Sequence, residues 1–211
     1  MKKLVISGLL SAALVLSFPA SATIIDGGIT SGEAFDMGGS FVNLGSEPSG
    51  LVVGNDNFQD PNLYGFNEDQ NLLLDSDLAI NVGGSSILAG TEVASHYVFF
   101  DPDNSIWAHG WVEFDSAVLG IITSTGKLLA SDFLLNNDVT YLNPGARGLE
   151  SVDSAWIDST NENRIGLSFR ASTPGDYIRV LTAHSPAAVP APTSLALLGL
   201  GLLLMARRQP K

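Results

Sequence analysis

Residues 164–169 read Arg164-Ile165-Gly166-Leu167-Ser168-Phe169, and residues 111–114 read Trp111-Val112-Glu113-Phe114. In both stretches every second side chain is apolar, the period of a strand with one face buried and one in water. The chain around them, from Thr23 to His184, keeps the same character: short apolar runs broken by Gly, Asn, Asp and Pro. Further strands are expected at 34–44, 51–53, 72–74, 78–82 and 91–100, then at 118–123, 139–142, 155–157 and 177–183. The gaps carry turn chemistry, as in Gly83-Gly84, Asp101-Pro102, Asn143-Pro144-Gly145 and Pro174-Gly175-Asp176. Only Lys127–Leu135 has a helical register, through Leu128, Leu129 and Phe133. About ten short strands at this spacing predict an all-β fold, a single β-sandwich of jelly-roll type over residues 23–185. No fixed period recurs, which disfavours a propeller or solenoid.

The bulk composition narrows the partners. The chain has 211 residues, 45% hydrophobic and 15% charged, with a formal net charge of −12. All 22 acids lie between Asp26 and Asp176, where only Lys127, Arg147, Arg164, Arg170 and Arg179 oppose them: five cations against 22 acids, a net −17. A body this acidic repels phosphate backbones and anionic membrane surfaces, so nucleic acid is excluded as a partner. Abundant Val, Ile, Leu and aromatic residues argue against disorder. The absence of cysteine rules out thiol catalysis and thiolate metal sites, and leans toward a bacterial envelope or extracellular setting.

The two ends differ from the body. Lys2-Lys3 precedes an uncharged apolar run from Leu4 to Phe18, closed by Pro19-Ala20-Ser21-Ala22. That order is a secretory signal over residues 1–22, with Ala20 and Ala22 as the small residues before cleavage by signal peptidase ahead of Thr23. The apolar run is shorter than the ~20 residues that span a bilayer. At the other end, within residues 186–211, Val189-Pro190-Ala191-Pro192 leads into an all-apolar stretch, Leu195–Ala206, and then Arg207-Arg208. The prolines define an extended linker, and a helix apolar all round seeks lipid, with the arginines held inside. The uncharged run from Thr193 to Ala206 would reach only ~21 Å as a helix against a ~30 Å hydrocarbon core, a marginal transmembrane-like anchor.

Val189, Pro190, Pro192, the Leu/Gly helix, Arg207 and Arg208 together resemble the PEP-CTERM sorting signal of Gram-negative bacteria that make extracellular polysaccharide. Ala191 stands where that family usually has Glu. The resemblance covers the tail alone. It implies processing by an exosortase-type membrane enzyme, transient or retained inner-membrane anchoring, and a place at the cell surface or in the exopolysaccharide of a biofilm.

Chemistry within the body is sparse. The Gly120–Lys127 stretch has one residue too many between its glycines for a phosphate loop, and Leu128 stands where Ser or Thr would hold magnesium. No Gly-x-Ser-x-Gly elbow occurs. His96, His109 and His184 are not spaced as zinc pairs. Oxygen-rich clusters occur at Asn55-Asp56-Asn57 with Asp60, at Glu68-Asp69, at Asp75-x-Asp77 and at Asp101-x-Asp103-x-Ser105. Alternate oxygens in a turn suit calcium, which makes Asp101, Asp103 and Ser105 candidate Ca²⁺ ligands, although Ile106 and Val112 depart from an EF-hand. Aromatic residues (Tyr97, Phe99, Phe100, Trp107, Trp111, Phe114 and Trp156) could stack on sugar rings; most such side chains are core. Trp107, placed in a loop between Asp101 and Gly110, is the candidate for ligand binding.

Three functional readings follow. The first is a non-enzymatic exported surface or matrix protein associated with exopolysaccharide. The second is a carbohydrate- or calcium-binding module of the same location. The third is a secreted hydrolase using a pair of carboxylates, of which 22 acids allow no nomination.

Overall fold

The alternation of residues 164–169 holds in three dimensions. Ile165, Leu167 and Phe169 are completely buried, while Arg164, Ser168 and Arg170 lie on the opposite, solvent side. The computed structural model describes residues 22–45 and 48–184, which belong to one compact unit. The strands in chain order are β1 Ile24–Ser31, β2 Phe41–Asn43, β3 Val52–Val53, β4 Leu63–Asn67, β5 Leu72–Leu73, β6 Leu78–Ala79 and β7 Ser86–Ile87. They continue with β8 Glu92–Phe100, β9 Ile106–Phe114, β10 Val118–Ile122, β11 Thr140–Tyr141, β12 Ser154–Ile157, β13 Arg164–Ala171 and β14 Asp176–Ala183. Two short helices, α1 Glu33–Asp36 and α2 Thr125–Ala130, interrupt them. The fold is all-β.

A four-stranded antiparallel sheet has the order β1-β9-β13-β12. A six-stranded sheet has the order β10-β14-β8-β4-β2, with β5 also paired to β8 and with β2 and β4 parallel. Their inner faces meet in one core. Val112, Phe114, Ile165 and Phe169 come from the first sheet, and Leu63, Phe100, Ile121 and Val180 from the second. Each such side chain contributes about 1.5–3 kcal/mol by leaving water, and this burial holds the sheets face to face.

The larger sheet is covered on its far side as well. Tyr64, Phe66, Tyr97, Phe99 and Tyr177 pack there with Val53 and Val139, and Leu74, Leu78, Ile80, Leu128 and Leu181 form a second cluster. In consequence β4, β8 and β14 are buried almost without interruption. A salt bridge is sealed in the same layer. Arg179 donates from Nε and Nη2 to the two carboxylate oxygens of Glu68 at 2.6 and 3.0 Å, and neither side chain reaches solvent. Ser95 Oγ donates to Glu68, and Arg179 Nη1 donates to the Leu128 carbonyl and Ser131 Oγ, so the pair's polar atoms are met.

Several expectations need correction. Residues 34–44 are not one strand: 33–36 form a helical turn, and only Phe41–Asn43 is extended. Gly32, with φ 98°, breaks the chain after β1, and the Met37 and Gly39 amides turn back on the Glu33 and Ala34 carbonyls. The helix expected over 127–135 divides into α2 and a 3₁₀ turn at Asp132–Leu134, where Ser131 Oγ bonds the Leu128 carbonyl. Strands β1, β4 and β7 lie where the sequence gives no expectation of a strand. Ala20 and the rest of the expected signal sequence before Ala22 lie outside the described residues, as does the expected sorting tail with Val189, Pro190, Pro192, Arg207 and Arg208. Ala22 is buried. The Thr23 amide after it donates to the Asp115 carboxylate, and the Asp115 amide donates back to the Thr23 carbonyl. No helix among the described residues is long and apolar enough to cross a membrane.

Candidate functional site

Strand β9 carries Ala108, Val112 and Phe114 inward, so Trp107, His109, Trp111 and Glu113 fall on the outer face of the four-stranded sheet. The register with β13 sets Arg170 beside Trp107, Ser168 beside His109, Gly166 beside Trp111 and Arg164 beside Glu113. On the far side of β13, Trp156 of β12 pairs with the same Gly166, and on the near side of β9, Gly28 of β1 pairs with Trp111. One row across the sheet is therefore Gly28, Trp111, Gly166, Trp156. All three tryptophans of the chain stand on this face.

The glycines in that row leave room for the indoles. A Cβ on Gly166 would lie 2.6 Å from Trp156 Nε1 and nearer still to its ring carbons, so the indole rests on the bare backbone of β13. A Cβ on Gly28 would lie 3.3 Å from Trp111 Nε1. An aromatic ring laid over a strand glycine covers the exposed backbone. Trp156 remains 47% exposed, the remainder being covered by the strand beneath it.

Polar groups surround the rings. The Arg164 guanidinium lies 4.3 Å from the centre of the Trp111 ring and also donates to Glu113 Oε2. That hydrogen bond holds the Glu113 carboxyl below its usual range. Arg170 lies 5.8 Å from the Trp107 ring, which stacks on His109 with centroids 5.4 Å apart and planes at 15°. The Trp107 amide donates to Glu33 Oε2 at 2.9 Å, fixing α1 against the end of β9 and lowering the Glu33 carboxyl. The other two arginines of the body, Arg147 and Arg179, are buried. Lys127 donates its ammonium to the Ile80 carbonyl. The two arginines of the body that reach solvent thus both flank tryptophans.

The residues nominated from sequence are placed as follows. Trp107 is in strand β9 and not in a loop, as is His109. Tyr97, Phe99, Phe100 and Phe114 are core. His96 is buried, its Nδ1 2.8 Å from Asn67 Oδ1 and its Nε2 3.0 Å from Thr182 Oγ1. Asp101 points inward, where its Oδ2 accepts the Phe58 amide and burial raises its carboxyl, whereas Asp103 and Ser105 are exposed. Asp103 lines a groove of about 230 Å³ with Met37, Asp60, Pro61, Asn104 and Ile106, and neither Asp101 nor Trp107 borders it. That volume is below what drug-sized ligands fill.

The pairing of Trp156 with Gly166 is not among the sequence expectations, yet it has a signal there. With Ile165, Leu167 and Phe169 inward, Gly166 must face outward, and a bare glycine on the wet face of a strand marks something lying upon it. No known protein family, no curated protein and no solved structure matches this chain.

Proposed function

We propose that this chain is an exported surface or matrix protein whose β-sandwich, of jelly-roll type, binds neutral extracellular polysaccharide through the tryptophan face of its four-stranded sheet. The observation that carries the reading is the row Gly28, Trp111, Gly166, Trp156, with a half-exposed indole packed on the bare backbone of Gly166. The C–H-rich faces of pyranose rings pack on such indoles, while Arg164, Arg170, Ser168 and His109 supply hydrogen bonds to hydroxyls. Trp156 and Trp111 are two strand spacings apart, about 10 Å, and Trp107 and Trp111 four residues apart, about 13 Å. Separations of that order need an oligosaccharide; a single sugar cannot touch two rings. The terminal segments supply the location: signal peptidase acts at Ala22, an exosortase-type enzyme acts on the tail, and the acidic globule is delivered to the exopolysaccharide. Binding of this kind asks no catalysis of the protein.

The test is affinity electrophoresis of the full-length chain through gels containing hydroxyethylcellulose, xylan, dextran or alginate. Retardation by a neutral polymer that is lost in Trp156→Ala and weakened in Trp111→Ala and Trp107→Ala supports the reading. Equal mobility in every gel, or retardation unaffected by all three substitutions, refutes it.

A further inference from the structure

A second constellation lies apart from the tryptophans, where the 148–153 loop meets the start of β14. Glu150, Asp153 and Asp176 each place one carboxylate oxygen within 4.8 Å of the others. Oxygens on one calcium ion, bound at 2.3–2.6 Å, are at most about 5 Å apart, so the spacing is one that a single ion can draw together. Asp176 is only 3% exposed, and its Oδ2 is buried without a hydrogen-bond partner. Buried carboxylate oxygens are ordinarily satisfied. Here the unsatisfied atom belongs to a group facing two further acids, an arrangement that a bound proton or a cation must relieve. Burial first, then the charges of Asp153 and Glu150, push the Asp176 carboxyl up to about 8.

The ligands are held in place beforehand. Asp153 Oδ1 accepts the Arg170 amide at 2.7 Å and its Oδ2 accepts the Glu150 amide at 3.0 Å, so both β13 and the loop orient it. Gly148 bridges to Tyr177 and fixes the loop beside β14. Glu150 is exposed and opens the cluster to solvent, which gives an ion entry and leaves room for the waters that complete its six to eight oxygens. Magnesium demands a tighter octahedron and sheds water reluctantly, and zinc prefers nitrogen and sulfur; a set of three carboxylates suits calcium.

We propose that Glu150, Asp153 and Asp176 form a structural calcium site that pins the 148–153 loop to the start of β14. Its position differs from the Asp101, Asp103 and Ser105 set suggested by the sequence.

The experiment is thermal melting of the full-length chain after chelation, with calcium, with magnesium, or with EDTA, alongside terbium luminescence sensitised by the protein's aromatic residues. Calcium at about a hundred times its dissociation constant is expected to raise Tm by about 5–10 °C, and magnesium by much less. Asp176→Asn should abolish that shift and the terbium signal while raising the metal-free Tm, because an amide need not take up a proton to be buried there. Should Asp176→Asn not fold, Glu150→Gln on the exposed loop serves instead, with calcium affinity expected to fall about tenfold or more. Melting curves identical in calcium and EDTA overturn the proposal: Asp176 then holds a proton and nothing else. A full calcium shift in either variant overturns it too, since the ion then sits elsewhere.

Discussion

Gly166→Ala separates the tryptophan face from the stability of the fold. The new methyl carbon would begin 2.6 Å from Trp156 Nε1 and closer to the neighbouring ring carbons, against an ordinary contact of about 3.5–4.0 Å. The indole must therefore retreat by roughly an ångström or more. It can do so, because Trp156 lies on an edge strand with 47% of its surface in solvent. The backbone has no objection, since Gly166 is absent from the positive-φ residues, and replacing Gly by Ala in a strand contributes about 0.5–1 kcal/mol through the unfolded chain. Lost packing of the ring on Gly166 offsets that gain, so Tm should move by only a few degrees. Binding should respond far more. A displaced tryptophan anchor is worth about 1–2 kcal/mol, or about a 5- to 30-fold rise in Kd for the neutral polymer that retards the wild type. Affinity electrophoresis at graded polymer concentration gives that ratio, and a shifted tryptophan emission reports the ring's movement. A Gly166→Ala protein that binds as tightly as wild type with altered emission would show that Trp156 takes no part. If the variant instead unfolds, Trp156 is a structural lid on β13 and not a platform for sugar.

Two further predictions concern the sealed polar groups. Arg179→Met removes the cation paired with the buried Glu68 and should cost about 3–5 kcal/mol in chemical denaturation, whereas Arg179→Met with Glu68→Leu should recover most of that loss; a double variant as unstable as the single one would show that the lost charge pairing is not the cause. Burial holds the His96 imidazole neutral and pushes it down to about 3, while in the unfolded chain it titrates near 6.5. The unfolded state thus takes up the extra proton first, so this contribution is fully present above pH 6.5 and is lost as pH falls toward 3. Between pH 7 and pH 5 wild type should lose about 2 kcal/mol more than His96→Gln, and equal losses would mean the folded imidazole accepts the proton.

The legible part of this fold is the part with one wet face. β9 and β13 alternate because their outer sides meet water, and their alternation is plain in the sequence. β4, β8 and β14 are covered on both sides, which erases the period of two. β8 and β14 still stand out as long apolar runs, while the short β4 does not. β1, written Ile24-Ile25-Asp26-Gly27-Gly28-Ile29-Thr30-Ser31, hides its strand character behind its paired glycines. The space a side chain would fill at Gly27 is taken by the Phe41 ring, 2.5 Å from where a Cβ would sit, and Gly28 lies beside Trp111. Gly110 misleads in the same way: it looks like the end of a loop holding Trp107, but its missing Cβ admits the Gly28 carbonyl of β1, and the strand runs through. The three acids of the proposed calcium site have no sequence signature, since Asp176 joins Glu150 and Asp153 only through the loop's bridge to Tyr177.

The charge distribution makes the tryptophan face the natural side of approach for a polymer. Acids dominate the body, two of its arginines are spent internally, and Arg164 and Arg170 are the guanidinium groups of the body left beside solvent. Arg164 is paired with Glu113, so the face is close to neutral in an acidic surround. A neutral polysaccharide docking there displaces few ions, and its affinity should change less than about twofold across a range of salt that screens charges from about 30 Å down to about 8 Å. An acidic polysaccharide would have to hold Arg170 while the rest of the body repelled it, and its binding would change steeply with the same salt series. Retardation in alginate that outweighs every neutral polymer and varies strongly with salt would therefore overturn the neutral-polymer assignment, while leaving Trp156 as the ring to which the sugar is held.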